Sequence, residues 1–130
     1  MSPTAPTLRG MSGTVDLDAL AAHVRELGPA AYLVSVGDGP APHVVSVEAR
    51  FEDGALRAAV GRHTAANLAQ RPAATFVWPP AGGDHSLIVD GTATVDRDGG
   101  VVAVRPTRAV LHRVAGAPAE VPSCIALERS

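Results

Sequence analysis

The chain is divided into short apolar segments, and this division constrains its fold more than any other feature of the sequence. Six β-favouring segments are separated by Gly, Asp and Pro turn signals, and they span residues 31–36, 43–51, 56–60, 73–78, 86–95 and 101–111. Residues 16–27 instead place apolar side chains every three or four positions, which predicts an amphipathic helix before the first strand. A shorter helix is predicted at residues 64–71, between the third and fourth strands. The pattern therefore predicts an α+β, mainly β, six-stranded antiparallel barrel.

Two interruptions inside the predicted strands indicate local irregularities. Asp90-Gly91 lies in the fifth strand and indicates a β-bulge. Pro106 lies in the sixth strand, and because proline cannot donate a ladder hydrogen bond, it predicts an edge position or a bulge. Residues 124–127 form a last short apolar segment, which is compatible with either a final strand or a docked tail.

Composition bounds the domain organisation and the possible partners. Residues 1–13 are rich in Pro, Ser, Thr and Gly, so we expect a flexible lead-in followed by a single domain at residues 14–130. The chain has one cysteine, no secretory signal pattern and no span-length apolar run, so we expect a cytoplasmic protein without a membrane partner. A net charge of −2 with scattered basic residues argues against a nucleic-acid partner. All eleven basic residues are arginine, which excludes chemistry through a lysine Schiff base.

The segment with the strongest functional signal is residues 60–78, VGRHTAANLAQRPAATFVW. Val60 and Gly61 end an apolar strand, Arg62 and His63 supply hydrogen-bond donors, and Thr64 is a residue type favoured as a helix N-cap. The first turn of a helix has unpaired N–H groups and a positive dipole end, so this loop could hold a phosphate without a glycine-rich fingerprint. The alternative is that Thr64 only caps the helix while Arg62 and His63 are solvated.

Other kinds of site find little support in the sequence. The five histidines lie about twenty residues apart and form no local metal-binding motif, so no metal site is predicted. No side chain stands out as a general acid, base or nucleophile, and no catalytic residue is assigned. Trp78 is expected either at a seam between two copies, where it would be a cofactor-binding residue, because tryptophan is enriched in interfaces, or in the core.

The order of elements, together with PHVVSVEARFEDGALRAAVGRHTAANLAQRPAATFVW and then SLIVDGTATV, resembles the pyridoxamine 5′-phosphate oxidase-like, FMN-binding split-barrel family over roughly residues 20–111. The resemblance implies a homodimer of six-stranded split barrels that binds FMN, or a deazaflavin coenzyme, between protomers. It also implies oxidoreductase activity on a small-molecule substrate. The residues matched to the flavin ring are Val45, Ser46, Val47, Val60 and Gly61, and those matched to the phosphate are Arg62, His63, Thr64 and Asn67.

The match departs from the family in its charged residues. Flavin-binding members commonly have a lysine at the position of Thr64, and an arginine and a lysine on the second strand near Ser46 and Glu48. A carboxylate beside a phosphate is repulsive, so either Glu48 points away from the phosphate or the binding mode differs from that of the family. Two alternatives stay open on the same barrel. One is a haem-binding protein with His43, His63 or His85 as axial ligand, and the other is a cofactor-free dimeric binding protein.

Overall fold

One curled antiparallel sheet and two helices make up most of the chain that the structure describes. The computed structural model describes residues 14–129, so the predicted lead-in at residues 1–13 lies outside it. The helices are α1 (Leu17–Leu27) and α2 (Arg62–Gln70), and neither is long and apolar enough to cross a membrane. The strands are β1 (Thr14–Val15), β2 (Ala30–Val36), β3 (Pro42–Glu48), β4 (Arg50–Glu52), β5 (Ala55–Ala59), β6 (Ala73–Trp78), β7 (His85–Val95), β8 (Val101–Arg113), β9 (Cys124–Ala126) and β10 (Glu128–Arg129).

The strand order explains why the sheet curls. The main sheet runs β3-β2-β6-β7-β8-β5-β4, with β9 paired beside β8. β3 and β4 stand at opposite ends of this order, yet only Ala49 separates them in the chain. Because neighbouring strands are about 4.8 Å apart and one residue spans less than that, the sheet curls until its two ends meet. The predicted antiparallel split barrel is thereby confirmed, with β3 lying beside β5 without pairing to it.

The six predicted strands correspond to β2, β3 with β4, β5, β6, β7 and β8, and one of them is broken. Alternation predicted a single strand over residues 43–51, but β3 ends at Glu48 and β4 begins at Arg50. Ala49 between them is buried, and its N–H donates to the Pro29 carbonyl at 2.7 Å. This bend allows the chain to leave β2 and pair with β5.

Helix α1 forms where the sequence predicts it. Asp16 is its N-cap, and a carboxylate oxygen of Asp16 accepts a hydrogen bond from the Ala19 N–H at 3.0 Å. Gly28 ends the helix with a φ of 89°, a conformation that glycine adopts without strain. The apolar face of α1 buries Leu20 and Val24 against the barrel.

The predicted start of helix α2 is wrong by two residues. Thr64 was expected to be the N-cap, but the helix begins at Arg62 and the N-cap is Gly61, with extended backbone (φ −83°, ψ 178°) and no capping side chain. The Gly61 carbonyl accepts the first helical hydrogen bond, from the Ala65 N–H at 3.0 Å. Thr64 therefore lies inside the first turn. The prediction failed because a glycine N-cap has no side chain to mark it.

The predicted bulge is confirmed and explains Pro106. The register of β7 against β8 shifts between Asp90, which faces Arg108, and Gly91, which faces Pro106. Thr107 is the extra residue, and neither β5 nor β9 pairs with β8 at this point. A Cβ at Gly91 would lie 2.4 Å from the Arg105 carbonyl oxygen, so only glycine fits the close approach of the two strands.

The last apolar segment is a strand, which resolves the choice left open by the sequence. β9 pairs with β8, and β10 pairs with β1. Between them Leu127 packs into the core, donates its N–H to the Ala109 carbonyl and accepts from the Asp16 N–H. The segment therefore closes one end of the barrel and holds the chain that enters α1.

Candidate functional site

A groove of about 450 Å³ lies between β3 and the junction of β5 with helix α2. Ligand pockets in proteins commonly have volumes of about 300–1,000 Å³, so the groove is large enough for a cofactor. Its lining consists of His43, Val45, Ser46, Val47, Ala59, Val60, Gly61, Arg62, His63 and Thr64. Eight of the ten residues predicted from the sequence thus come together at one place. The two others, Asn67 and Trp78, do not line the groove.

The helical end of the groove presents unpaired backbone donors. Ala65 makes the first helical hydrogen bond, so the N–H groups of Arg62, His63 and Thr64 have no partner within the helix. The N-cap residue Gly61 contributes no side chain that could accept from them. The helix dipole and the Arg62 guanidinium add positive charge at the same point, and together these features favour an anion.

Thr64 provides a second, independent sign of a ligand. Its side chain is polar, yet the residue is only 2% exposed and lines the groove. Among residues 14–129 no hydrogen bond joins its hydroxyl to another side chain or to the backbone. A buried hydroxyl without a partner is costly, which makes a ligand oxygen in the groove a suitable acceptor for it.

The other end of the groove is apolar and has a free strand edge. Val45, Val47 and Val60 are partly buried and pack against the core. Among the strands of residues 14–129, β3 pairs with β2 alone, so along its second edge alternate backbone N–H and C=O groups face the split of the barrel. A flat ring with polar edge atoms would find both van der Waals contact and hydrogen bonds here.

Glu48 does not line the groove. It lines a neighbouring depression with Ala30 and Ala59, which the groove adjoins through Ser46 and Val47. Glu48 is therefore not among the residues that line the groove with Arg62, His63 and Thr64.

Asn67 connects helix α2 to the sheet instead of lining the groove. Its Nδ2 donates to the Oγ of Ser35, a buried residue of β2, at 3.3 Å. Gly37 lies close enough that a Cβ there would meet the Asn67 Oδ1 at 2.9 Å. One turn further, Arg71 pairs with Asp38 at 2.9 Å. These contacts set the distance between α2 and the β2–β3 hairpin, and hence the width of the groove.

Trp78 belongs to the core. It is 1% exposed, its indole Nε1–H donates to the Gly28 carbonyl at 2.9 Å, and its ring stacks on Phe76. Of the two places considered for Trp78 from the sequence, the structure thus favours the core. His85 does not line the groove either, and its Nε2 hydrogen-bonds with the Pro122 carbonyl at 2.9 Å.

Two residues that line the groove were not predicted from the sequence as part of the site. His43 was considered only as a haem ligand, and Ala59 was not considered. The alternation of β3 could have indicated His43, because it shares a face with Val45 and Val47. Its approach to helix α2 depends on the folded topology, which no local sequence pattern indicates.

An apolar surface lies on the outer face of β2 and β3. Tyr32, Val36 and Val44 are 44%, 45% and 53% exposed, and the pairing of Val34 with Val44 places all of them on one side of the sheet. Such a concentration of exposed apolar side chains is typical of an interaction surface.

Comparison with known proteins identifies relatives and a shared fold. No sequence-family profile matches the chain. It is 40% identical over 129 residues to the uncharacterized proteins Mb0449c of Mycobacterium bovis and MT0457 of Mycobacterium tuberculosis, with 85% of this chain and 90% of each relative covered.

Two solved structures share the fold at low sequence identity. One, from Listeria innocua, is provisionally assigned as a pyridoxamine 5′-phosphate oxidase. It has a TM-score of 0.61 and 15% identity, over 73% of this chain and 96% of that one. The other is a NimC/NimA family protein from Clostridium acetobutylicum, with a TM-score of 0.57 and 13% identity over 85% and 94% of the two chains. The chain therefore belongs to the same family as the two mycobacterial proteins, and it has the split-barrel fold of the two solved structures.

Proposed function

We propose that this protein is a homodimeric, flavin-binding oxidoreductase that acts on a small molecule, with FMN as its cofactor. The observation that carries the proposal is the buried Thr64 hydroxyl, which has no hydrogen-bond partner among residues 14–129 and lies beside the uncapped first turn of α2. Arg62 adds a permanent positive charge there. The donor set therefore fits a phosphate, and the apolar wall of Val45, Val47 and Val60 fits a ring attached to it.

In this proposal the residues of the groove bind and orient, and the bound flavin supplies the hydride transfer chemistry. The Arg62 guanidinium and the N–H groups of the first turn hold the phosphate. The Thr64 hydroxyl donates to a phosphate oxygen. Backbone groups on the free edge of β3, at Val45 to Val47, orient the polar edge of the ring. No described side chain is assigned to proton transfer.

The exposed apolar surface supports a dimer. Tyr32, Val36 and Val44 lie on the outer face of the hairpin whose inner face borders the groove. A second copy of this chain that covers this surface would remove apolar area from water and would bring its own residues near the groove. We expect Val44→Asp to shift the protein from dimer to monomer, as measured by light scattering after size-exclusion chromatography.

The test of the proposed cofactor is a titration of the purified protein with FMN, followed by flavin fluorescence. Wild-type protein should bind, and Arg62→Ala should weaken binding by about 1–3 kcal/mol, or roughly 5- to 150-fold, through loss of a charge-assisted hydrogen bond. Arg97→Ala is the matched control, because Arg97 is an exposed residue of the turn between β7 and β8. It should leave the affinity unchanged.

The same titration separates the alternatives. Binding of a deazaflavin coenzyme but not of FMN would keep the groove and replace the cofactor. A Soret band on addition of haem, lost in His43→Ala or His63→Ala, would favour the haem-binding alternative. No binding of any of the three would overturn the proposal and favour a cofactor-free protein.

A further inference from the structure

We propose that His43, from the wall of the groove opposite helix α2, binds the phosphate together with His63, and that phosphate binding is coupled to proton uptake by this pair. The inference rests on the proposed function and extends it. It adds a phosphate-binding residue, His43, from outside the segment between Val60 and Trp78. It also predicts that the affinity for FMN depends on pH, which the arginine and the backbone N–H groups cannot produce.

The two imidazole rings meet across the groove. Their centroids are 6.4 Å apart and their planes make an angle of 85°, so the edge of one ring is directed toward the face of the other. Both residues line the groove beside Arg62 and Thr64. Among residues 14–129 neither ring hydrogen-bonds with a protein group, whereas the rings of His85 and His112 both hydrogen-bond with backbone carbonyls. The N–H groups of His43 and His63 are therefore available to a ligand.

The pairing of the rings follows from how helix α2 docks on the sheet. His63 and Asn67 are four residues apart on α2 and so lie on the same face of the helix. Ser35 and His43 are directly opposite each other on β2 and β3. The bond from Asn67 to Ser35 at 3.3 Å thus fixes the helix in the position that brings His63 to His43. Asn67 is a positioning residue for the pair.

Among residues 14–129, no acidic side chain lines the groove with the pair. Arg62 is the charged neighbour on α2, and the residue opposite His43 on β2 is the neutral Ser35. Glu48 lines the next depression along β3, and Asp38 in the β2–β3 turn is already paired with Arg71. The three ion pairs formed among the described residues involve neither histidine nor Arg62. No acidic side chain among the described residues is therefore placed to compete with an anionic ligand for the two rings.

A phosphate dianion between the rings is a ligand that suits this arrangement. It accepts hydrogen bonds from both rings, and these bonds are stronger when the imidazoles are protonated. Imidazole changes charge between about pH 5 and pH 8, whereas arginine and backbone N–H groups do not. Anion binding should then draw protons onto the pair, and the affinity should fall as the pH rises.

The experiment is a calorimetric titration of wild-type protein with FMN at pH 7 and at pH 8.5, where the FMN phosphate, with a second pKa of about 6, is mostly a dianion. The titration at pH 7 is repeated in buffers of different ionisation enthalpy. We expect the dissociation constant to rise about tenfold between pH 7 and pH 8.5, with uptake of about one proton per FMN at pH 7. His43→Gln and His63→Gln should each reduce the proton uptake and flatten the pH dependence. His112→Gln, at an exposed site on β8, is the control and should behave as wild type.

Failure of this inference can be distinguished from failure of the proposed FMN binding. If FMN binds with equal affinity at both pH values and without proton uptake, the inference is wrong and the FMN site stands. The inference also fails if His43→Gln folds with the wild-type melting temperature and keeps the full pH dependence, since the proton then goes elsewhere. Absence of FMN binding at both pH values would overturn both the inference and the proposed function.

Discussion

Replacing Gly61 by aspartate should stabilise the protein and weaken FMN binding at the same time. Helix α1 already has an aspartate N-cap. A carboxylate oxygen of Asp16 accepts a hydrogen bond from the N–H of the third helical residue, Ala19, at 3.0 Å. In α2 the equivalent donor is the Thr64 N–H. Gly61 already has the extended backbone of an N-cap, and a Cβ there would meet no atom within 4 Å. An aspartate at residue 61 can therefore adopt the geometry of Asp16 without strain.

The two effects have opposite signs, and their sizes follow from the capping geometry. Aspartate exceeds glycine as an N-cap by a few tenths of a kcal/mol, and its charge at the helix N-terminus adds about 0.3–1 kcal/mol. The free energy of unfolding of Gly61→Asp should thus rise by about 0.5–1.5 kcal/mol. The new carboxylate would also accept the hydrogen bond of the Thr64 N–H and repel the phosphate. FMN should therefore bind about 10- to 100-fold more weakly.

Both quantities can be measured on the same preparations. Urea unfolding of the cofactor-free protein is followed by the fluorescence of Trp78, the sole tryptophan of the chain, which is buried. FMN affinity is followed by flavin fluorescence. Asp16→Ala is the control, since it should cost about 1 kcal/mol of stability at the distant helix α1 and leave FMN affinity unchanged. A Gly61→Asp variant that is stabilised and binds FMN as tightly as wild type would refute the placement of the phosphate at α2.

Three further predictions concern the framework around the groove. Gly91→Ala should destabilise the protein by about 1–3 kcal/mol because its Cβ would collide with the Arg105 carbonyl, whereas Gly39→Ala, which meets no atom within 4 Å, should be nearly neutral in urea unfolding. Leu127→Ala should lower the free energy of unfolding, measured by heat or urea, by about 2–3 kcal/mol. A loss below about 0.5 kcal/mol would contradict the packing of this segment in the core. Gly37→Ala should lower the free energy of unfolding by about 1 kcal/mol in the wild-type protein. In an Asn67→Ala background it should have no effect, because the side chain that a Cβ would meet is absent. Equal losses in the two backgrounds would show that this contact does not affect stability.

The elements that the sequence predicted correctly are those with local signals. Alternation and turn residues identified the strands, and Asp16 with Gly28 marked both ends of α1. Asp90-Gly91 and Pro106 indicated the bulge from two strands independently. In each case the side chain that carries the signal also makes the contact that produces the structure.

The break at Ala49 and the start of α2 lacked such signals. Val47, Ala49 and Phe51 continue the apolar alternation across the break, where the chain stops pairing with β2 and begins to pair with β5. Gly61 acts through its backbone, so the preference for capping side chains indicated Thr64 instead. Tertiary geometry decided both positions.

Only part of the candidate site was predicted, because the rest of it also lacks a local signal. Residues 60–64 are contiguous, so a local pattern could indicate them as a group. His43 and Ser35 reach helix α2 only through the register of β2 and β3 and the docking of the helix, which no local pattern contains. Asn67 was assigned to the phosphate from the resemblance, whereas the structure shows it bonded to Ser35.

The measurement that tests the central claim most directly is the affinity of the wild-type protein for FMN compared with riboflavin, which has the same ring and lacks the phosphate. If the first turn of α2, Arg62 and Thr64 hold the phosphate, FMN should bind at least about tenfold more tightly than riboflavin. Equal affinities for the two flavins, or no binding of either, would contradict a phosphate site at this helix.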